Sequence, residues 1–141
     1  MKYALMILAL FALAGMFALD AAARMGSRAD RPLAHMVFFG LKDHSQESRE
    51  RFIASCEKYL AEHEGEQSFS VGTIAEDEDV QEPVSVKDFD VALHVVFQDK
   101  AAKAKYLKSE RHHKFVEENR ASFGNVRVFD SFLVPSEKGG K

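Results

Sequence analysis

The chain has 141 residues, 46% apolar and 29% charged, and its 19 basic and 22 acidic side chains give a net charge of −3. That size suits one self-sufficient domain, and the near-even charge disfavours nucleic-acid binding through phosphate neutralisation. The single Cys56 excludes an intrachain disulfide and a cysteine-built zinc cage.

Residues 1–23 are almost wholly apolar, with Lys2 and Asp20 as their only charges. Lys2, the run over residues 3–19 and the small-residue ending Ala21-Ala22-Ala23 have the three parts of a secretory signal peptide. Cleavage after Ala23 would export the domain to a periplasm or the exterior. The alternative is an uncleaved membrane anchor over residues 3–19, a length at the low end for a span. Arg24, Arg28 and Arg31 bear on both readings, because positive charge on the far flank resists translocation. No Cys follows Ala23 directly, so no lipid anchor is expected there. Residues 24–32 read as a linker.

Residues 33–41 (LAHMVFFGL) form a predicted strand, and Asp43-His44-Ser45 offers helix caps. Phe52, Ile53, Cys56, Tyr59, Leu60 and His63 follow on one helical face, with Gly65 as the stop. A short strand over 68–75 leads into the acidic run 76–79 and a loop to Lys87. Residues 88–97 (DFDVALHVVF) are the strongest predicted strand. Asp99 caps a short helix over 100–108, and a second helix spans 110–121 and ends at Phe123-Gly124. Residues 125–134 (NVRVFDSFLV) make the last strand, and 136–141 a polar tail. The order β-α-β-β-α-β predicts an α+β, ferredoxin-like domain over residues 33–135. It has a four-stranded antiparallel sheet with helices on one face.

Strand alternation places Phe89, Val91, Leu93, Val95 and Phe97 on one face and Ala92, His94 and Val96 on the other. His35, Val37 and Phe39 alternate with Met36 and Phe38, and Val126, Val128 and Asp130 with Phe129 and Leu133. Both faces are largely apolar, yet helices cover only one. A second copy is the expected cover, in a homodimer joined through Met36, Phe38, His94, Val96, Phe129 and Leu133.

Several segments together resemble one family. They are HMVFFGLKD with His35, the turn Val71-Gly72-Thr73, the strand from Phe89 to Phe97, Tyr106-Leu107 followed by His112, and VRVFDSF at 126–132. In order and spacing they are similar to the stress-responsive A/B barrel (Dabb) family over residues 33–134. The resemblance implies a dimeric α/β barrel of ferredoxin-like subunits. A relative by fold, the plant olivetolic acid cyclase, closes a polyketide ring, and its catalytic Tyr and His match Tyr106 and His112. Its first-strand His and last-strand Asp match His35 and Asp130. The chain departs from the pattern at Ser109-Glu110, where the family has His-Pro, and at Val91, where the plant enzyme has a further His.

The resemblance implies His112 as a base, Tyr106 as a hydrogen-bond donor to a developing oxyanion, and His35 or Asp130 as an orienting or wall group. Val37, Phe39, Leu93, Val95 and Val128 would wall an apolar ligand pocket. Three functions stay open. One is binding of a small hydrophobic molecule, in a stress-related setting. Another is catalysis of the cyclase or cofactor-free oxygenase kind. The third is a non-catalytic structural oligomer. No cofactor or metal is expected. Haem-degrading enzymes share the fold, but the neighbouring positions of His112 and His113 point about 100° apart and chelate one ion poorly. The 76–79 run lacks the spacing of a calcium loop. Cys56 reads as a core thiol, and Arg111, Lys114, Glu117, Glu118 and Arg120 as an exposed helix face.

Overall fold

A computed structural model describes residues 30–77 and 82–134. The leader over residues 1–23, linker residues 24–29, Glu78-Asp79 and the tail over 136–141 lie outside the described residues. Four strands, β1 (Leu33–Leu41), β2 (Glu66–Thr73), β3 (Val91–Phe97) and β4 (Phe123–Phe132), form one antiparallel sheet in the order β2-β3-β1-β4. Helix α1 (Gln46–Leu60) joins β1 to β2. The second connection is broken into α2 (Lys100–Lys108) and α3 (Glu110–Asn119). This is the ferredoxin-like arrangement anticipated from the element order. Among the described residues no helix is long and apolar enough to cross a membrane.

The core follows from the two periodicities. Val37, Phe39 and Leu41 of β1 and Val91, Leu93, Val95 and Phe97 of β3 face the helices, which return Phe52, Cys56, Leu60, Tyr106 and Phe115. Phe39, Phe52, Phe115 and Phe123 meet mostly edge to face, with Phe39 and Phe52 ring centroids 4.8 Å apart. Cys56 is fully buried in this layer, where desolvation pushes its thiol up to about 12 and leaves it unreactive.

The structure corrects several boundaries. β3 starts at Val91 instead of residue 88, because the ladder ends where Asp90 N–H donates to the Phe39 carbonyl at 2.7 Å. Phe89 therefore leaves the inner face and packs against Phe38 on the outer one, centroids 5.0 Å apart. α1 stops at Leu60, so His63 lies beyond it, and Glu62 and Gly65 take positive φ in the connection. Gly65 is needed there, since a Cβ would come within 2.5 Å of the Ala102 methyl. Gly124 does not end a helix. It sits in β4 where a Cβ would lie 2.9 Å from the Gly40 carbonyl, so the two strands can close there only with glycine.

The outer face of the sheet carries Met36, Phe38, Ala92 and Val96, half-buried, with His94 and Phe129 exposed. Phe38 is its hub, in edge contact with Phe89, His94 and Phe129. Leu133 lies one residue past β4, its N–H donating to the Pro32 carbonyl. Among the described residues no helix covers this face.

Candidate functional site

Helices α2 and α3 leave β4 uncovered on its inner side, so Val126 and Val128 are 40% and 51% exposed although they face inward. The gap is a cavity of ≈ 300 Å³ between sheet and helices. Val37, Phe39, Leu93, Phe115, Val126 and Val128 are among its walls, and His35, Lys103, Tyr106 and His112 supply its polar atoms. The structure thus brings together His35, Val37, Phe39, Leu93, Tyr106, His112 and Val128. Val95 is fully buried in the core and is not part of the lining, and Asp130 stands behind His35.

The β1–β4 register sets His35 directly opposite Asp130. Nδ1 of His35 lies 2.8 Å from Asp130 Oδ1, and Nζ of Lys103 donates to Asp130 Oδ2 at 2.5 Å. Burial alone would raise the Asp130 carboxyl, but hydrogen bonds from Lys103 and His35 outweigh it and hold it below the usual carboxylate range. Burial lowers the His35 imidazole more than Asp130 raises it, so the ring is neutral at neutral pH. Lys103 and Asp130 cancel, and the polar end of the cavity carries no net charge.

Sequence reading did not single out Lys103. It lies three residues before Tyr106 and four before Leu107, on one face of α2, and that spacing was the available signal.

Ser109 fixes the second pair. It ends α2, its Oγ donating to the Tyr106 carbonyl at 2.8 Å, and caps α3 by accepting from His112 N–H at 3.1 Å. The departure at Ser109-Glu110 therefore builds a tight break that sets the Tyr106 and His112 rings 4.9 Å apart. Burial raises the Tyr106 phenol well above its ordinary value, so it remains a donor. Desolvation first, then the nearby imidazoles, brings His112 down to about 4, and its buried Nδ1 has no hydrogen-bond partner among the described residues.

The folded value of His112 lies below that of the unfolded chain, so unfolding takes up a proton as pH falls. Its contribution is complete above about pH 6.5 and is lost as pH falls through about 4. The half-open site screens the effect, leaving on the order of 1 kcal/mol. Urea unfolding of His112→Phe should show a smaller stability loss over that range than wild type. An identical loss would contradict the assigned environment.

Among the described residues no group of three or more His, Cys, Asp or Glu is placed to hold a metal ion. The His112 and His113 rings are 6.3 Å apart, and Glu76 of the acidic run pairs with Arg49 at 2.8 Å. A larger cleft of ≈ 590 Å³ opens beside Asp90. Its Arg49 is committed to Asp90 and Glu76, so it reads as a structural latch. Arg111 also differs from the exposed-face reading. It donates to the Lys58 and Ala61 carbonyls at 3.0 and 2.8 Å and closes the end of α1.

Residues 33–133 match a family model described as the Stress responsive A/B Barrel Domain. No curated protein matches the chain. Among solved structures, a Dabb family protein with a ferredoxin-like fold from Mesorhizobium loti is similar at 20% identity, covering 74% of this chain and 99% of its own, with a TM-score of 0.60. A dimeric ferredoxin-like protein of unknown function from Thermobifida fusca is 13% identical, covering 73% and 92%, with a TM-score of 0.59. The hydroxynitrile lyase of Passiflora edulis is 18% identical, covering 79% and 99%, with a TM-score of 0.61.

Proposed function

Because the chain belongs to the stress-responsive A/B barrel domain family, we propose that it works as a homodimer binding one small, neutral, hydrophobic molecule per subunit in the cavity between sheet and helices. The observation that carries the reading is the cavity itself, with apolar walls and a polar end whose charges cancel. A charged ligand entering it would lose hydration and find no free counter-ion. The homodimer is supported by the uncovered apolar outer face and by the dimeric state named for the T. fusca protein. Met36, Phe38, His94, Val96, Phe129 and Leu133 would meet their copies across it.

Val128 supplies the test. Half-exposed on an inward-facing position, it tolerates a larger side chain that fills the cavity. Wild type should enhance the fluorescence of the neutral probe N-phenyl-1-naphthylamine. Val128→Trp should weaken the response about tenfold or more with little change in melting temperature. Equal binding by both proteins would place the probe elsewhere and defeat the proposal.

The second reading is an enzyme, favoured by the neutral His112 beside a protonated Tyr106. His112 would remove a proton next to a carbonyl while Tyr106 donates to the developing enolate oxygen. A base with a value near 4 is weak, so turnover by this route depends on a substrate already acidified by its own carbonyl groups. The likeness to a hydroxynitrile lyase shows that the fold accommodates an active site. A structural oligomer without ligand is the remaining outcome if no neutral probe enters. We also propose that the leader exports the domain or anchors it at residues 3–19, which N-terminal sequencing of the native protein distinguishes.

A further inference from the structure

We infer that the cavity selects its ligand by a hydroxyl group, a neutral alcohol or phenol donating its O–H to Nε2 of His35. The inference rests on the pocket reading above and adds the chemical class.

It starts from Asp130. An ionised carboxylate only accepts hydrogen bonds, so the 2.8 Å contact with Oδ1 requires the proton to be on His35 Nδ1. Lys103, on the other oxygen, keeps the carboxylate ionised. A neutral imidazole holds one ring proton, so Nε2 is left as a bare acceptor. It takes no hydrogen-bond partner among the described residues, while His35 lines the cavity with a side chain only 6% exposed. A ligand that shuts water out of the cavity would leave this nitrogen with nothing to accept from, which is costly, and a ligand hydroxyl avoids that cost.

The neighbouring groups separate the ligand classes. A carboxylate finds Lys103 already neutralised by Asp130. A ketone or ether can take a bond from the Tyr106 hydroxyl but leaves Nε2 unpaired. A hydroxyl donates to Nε2 and still accepts from Tyr106, whose ring lies edge-on to His35 with centroids 6.0 Å apart. The device resembles the way a second partner fixes the tautomer of a metal-binding imidazole, with a ligand proton in the place of the metal.

Two measurements test it. Nitrogen NMR of the unliganded protein should show His35 protonated at Nδ1 and bare at Nε2 at neutral pH, and a protonated Nε2 would overturn the inference without any variant. Calorimetry should then show 4-propylphenol binding about tenfold or more tighter than 4-propylanisole, with 4-propylbenzoate weakest. His35→Phe should bind the phenol and the anisole equally. Asp130→Asn, whose amide can also donate to Nδ1, should narrow the preference to about threefold or less. Equal affinities in wild type, or a preference that survives His35→Phe, would overturn the hydroxyl rule while leaving the pocket standing. Failure of both neutral probes to bind would remove the pocket and the rule together.

Discussion

Phe129→Asp should convert the proposed homodimer into a folded monomer. Phe129 is half-exposed, so the subunit does not need it for its own core. Its ring meets Phe38, the hub of the outer face, at 5.8 Å, and it lies opposite Met36 in the β1–β4 register. In a two-fold pairing both copies change at once, and each buries a carboxylate against apolar neighbours. At a few kcal/mol per unpaired carboxylate, the dissociation constant should rise by about a thousandfold or more. Light scattering at micromolar concentration reads the result, and circular dichroism confirms the retained fold. A wild-type protein that is monomeric under the same conditions would remove the dimer.

Asp90→Ala should cost about 3 kcal/mol of unfolding free energy, measured by urea denaturation. The Asp90 side chain is 4% exposed and ties three elements together. It accepts from Leu41 N–H at 2.7 Å at the end of β1, from His44 Nδ1 at 3.0 Å and from Arg49 Nε at 3.0 Å on α1. Burial by itself would raise the carboxyl, yet these three donors hold it below the ordinary carboxylate range. Truncation strands the Leu41 N–H and leaves Arg49 with only the exposed Glu76. Asp90→Asn keeps an acceptor for Leu41 but no charge, and should cost roughly half as much. Because the folded value is depressed, this contribution is present above about pH 4 and is lost as pH falls through the folded value. A loss below about 0.5 kcal/mol in Asp90→Ala would show that the cluster is merely a surface arrangement.

Much of the fold was legible in the sequence because it rests on local periodicity. The spacing of Phe52, Cys56, Tyr59 and Leu60 located α1, and Asp99 marked the start of α2, where it caps Ala102 N–H at 2.8 Å. Alternation put His35 and Asp130 on the face of Val37 and Val128. Their contact spans 95 residues and depends on the β1–β4 register, which no local pattern encodes. The outward turn of Phe89 was hidden for a similar reason, since it follows from the buried bonds of Asp90 to a distant strand. In sequence Arg111 reads as an exposed helix charge, and Lys103 is not singled out. What distinguishes them is a carbonyl at the end of α1 and a carboxylate on β4, each supplied by tertiary packing.

The pocket reading is tested most directly by following backbone amide NMR signals while 4-propylphenol is added to the purified protein. The expected shifts cluster at His35, Tyr106, His112, Val126 and Val128, around the cavity, with Phe38 and His94 on the outer face unmoved. Shifts confined to the outer face, or none at saturating phenol, would contradict ligand binding between sheet and helices.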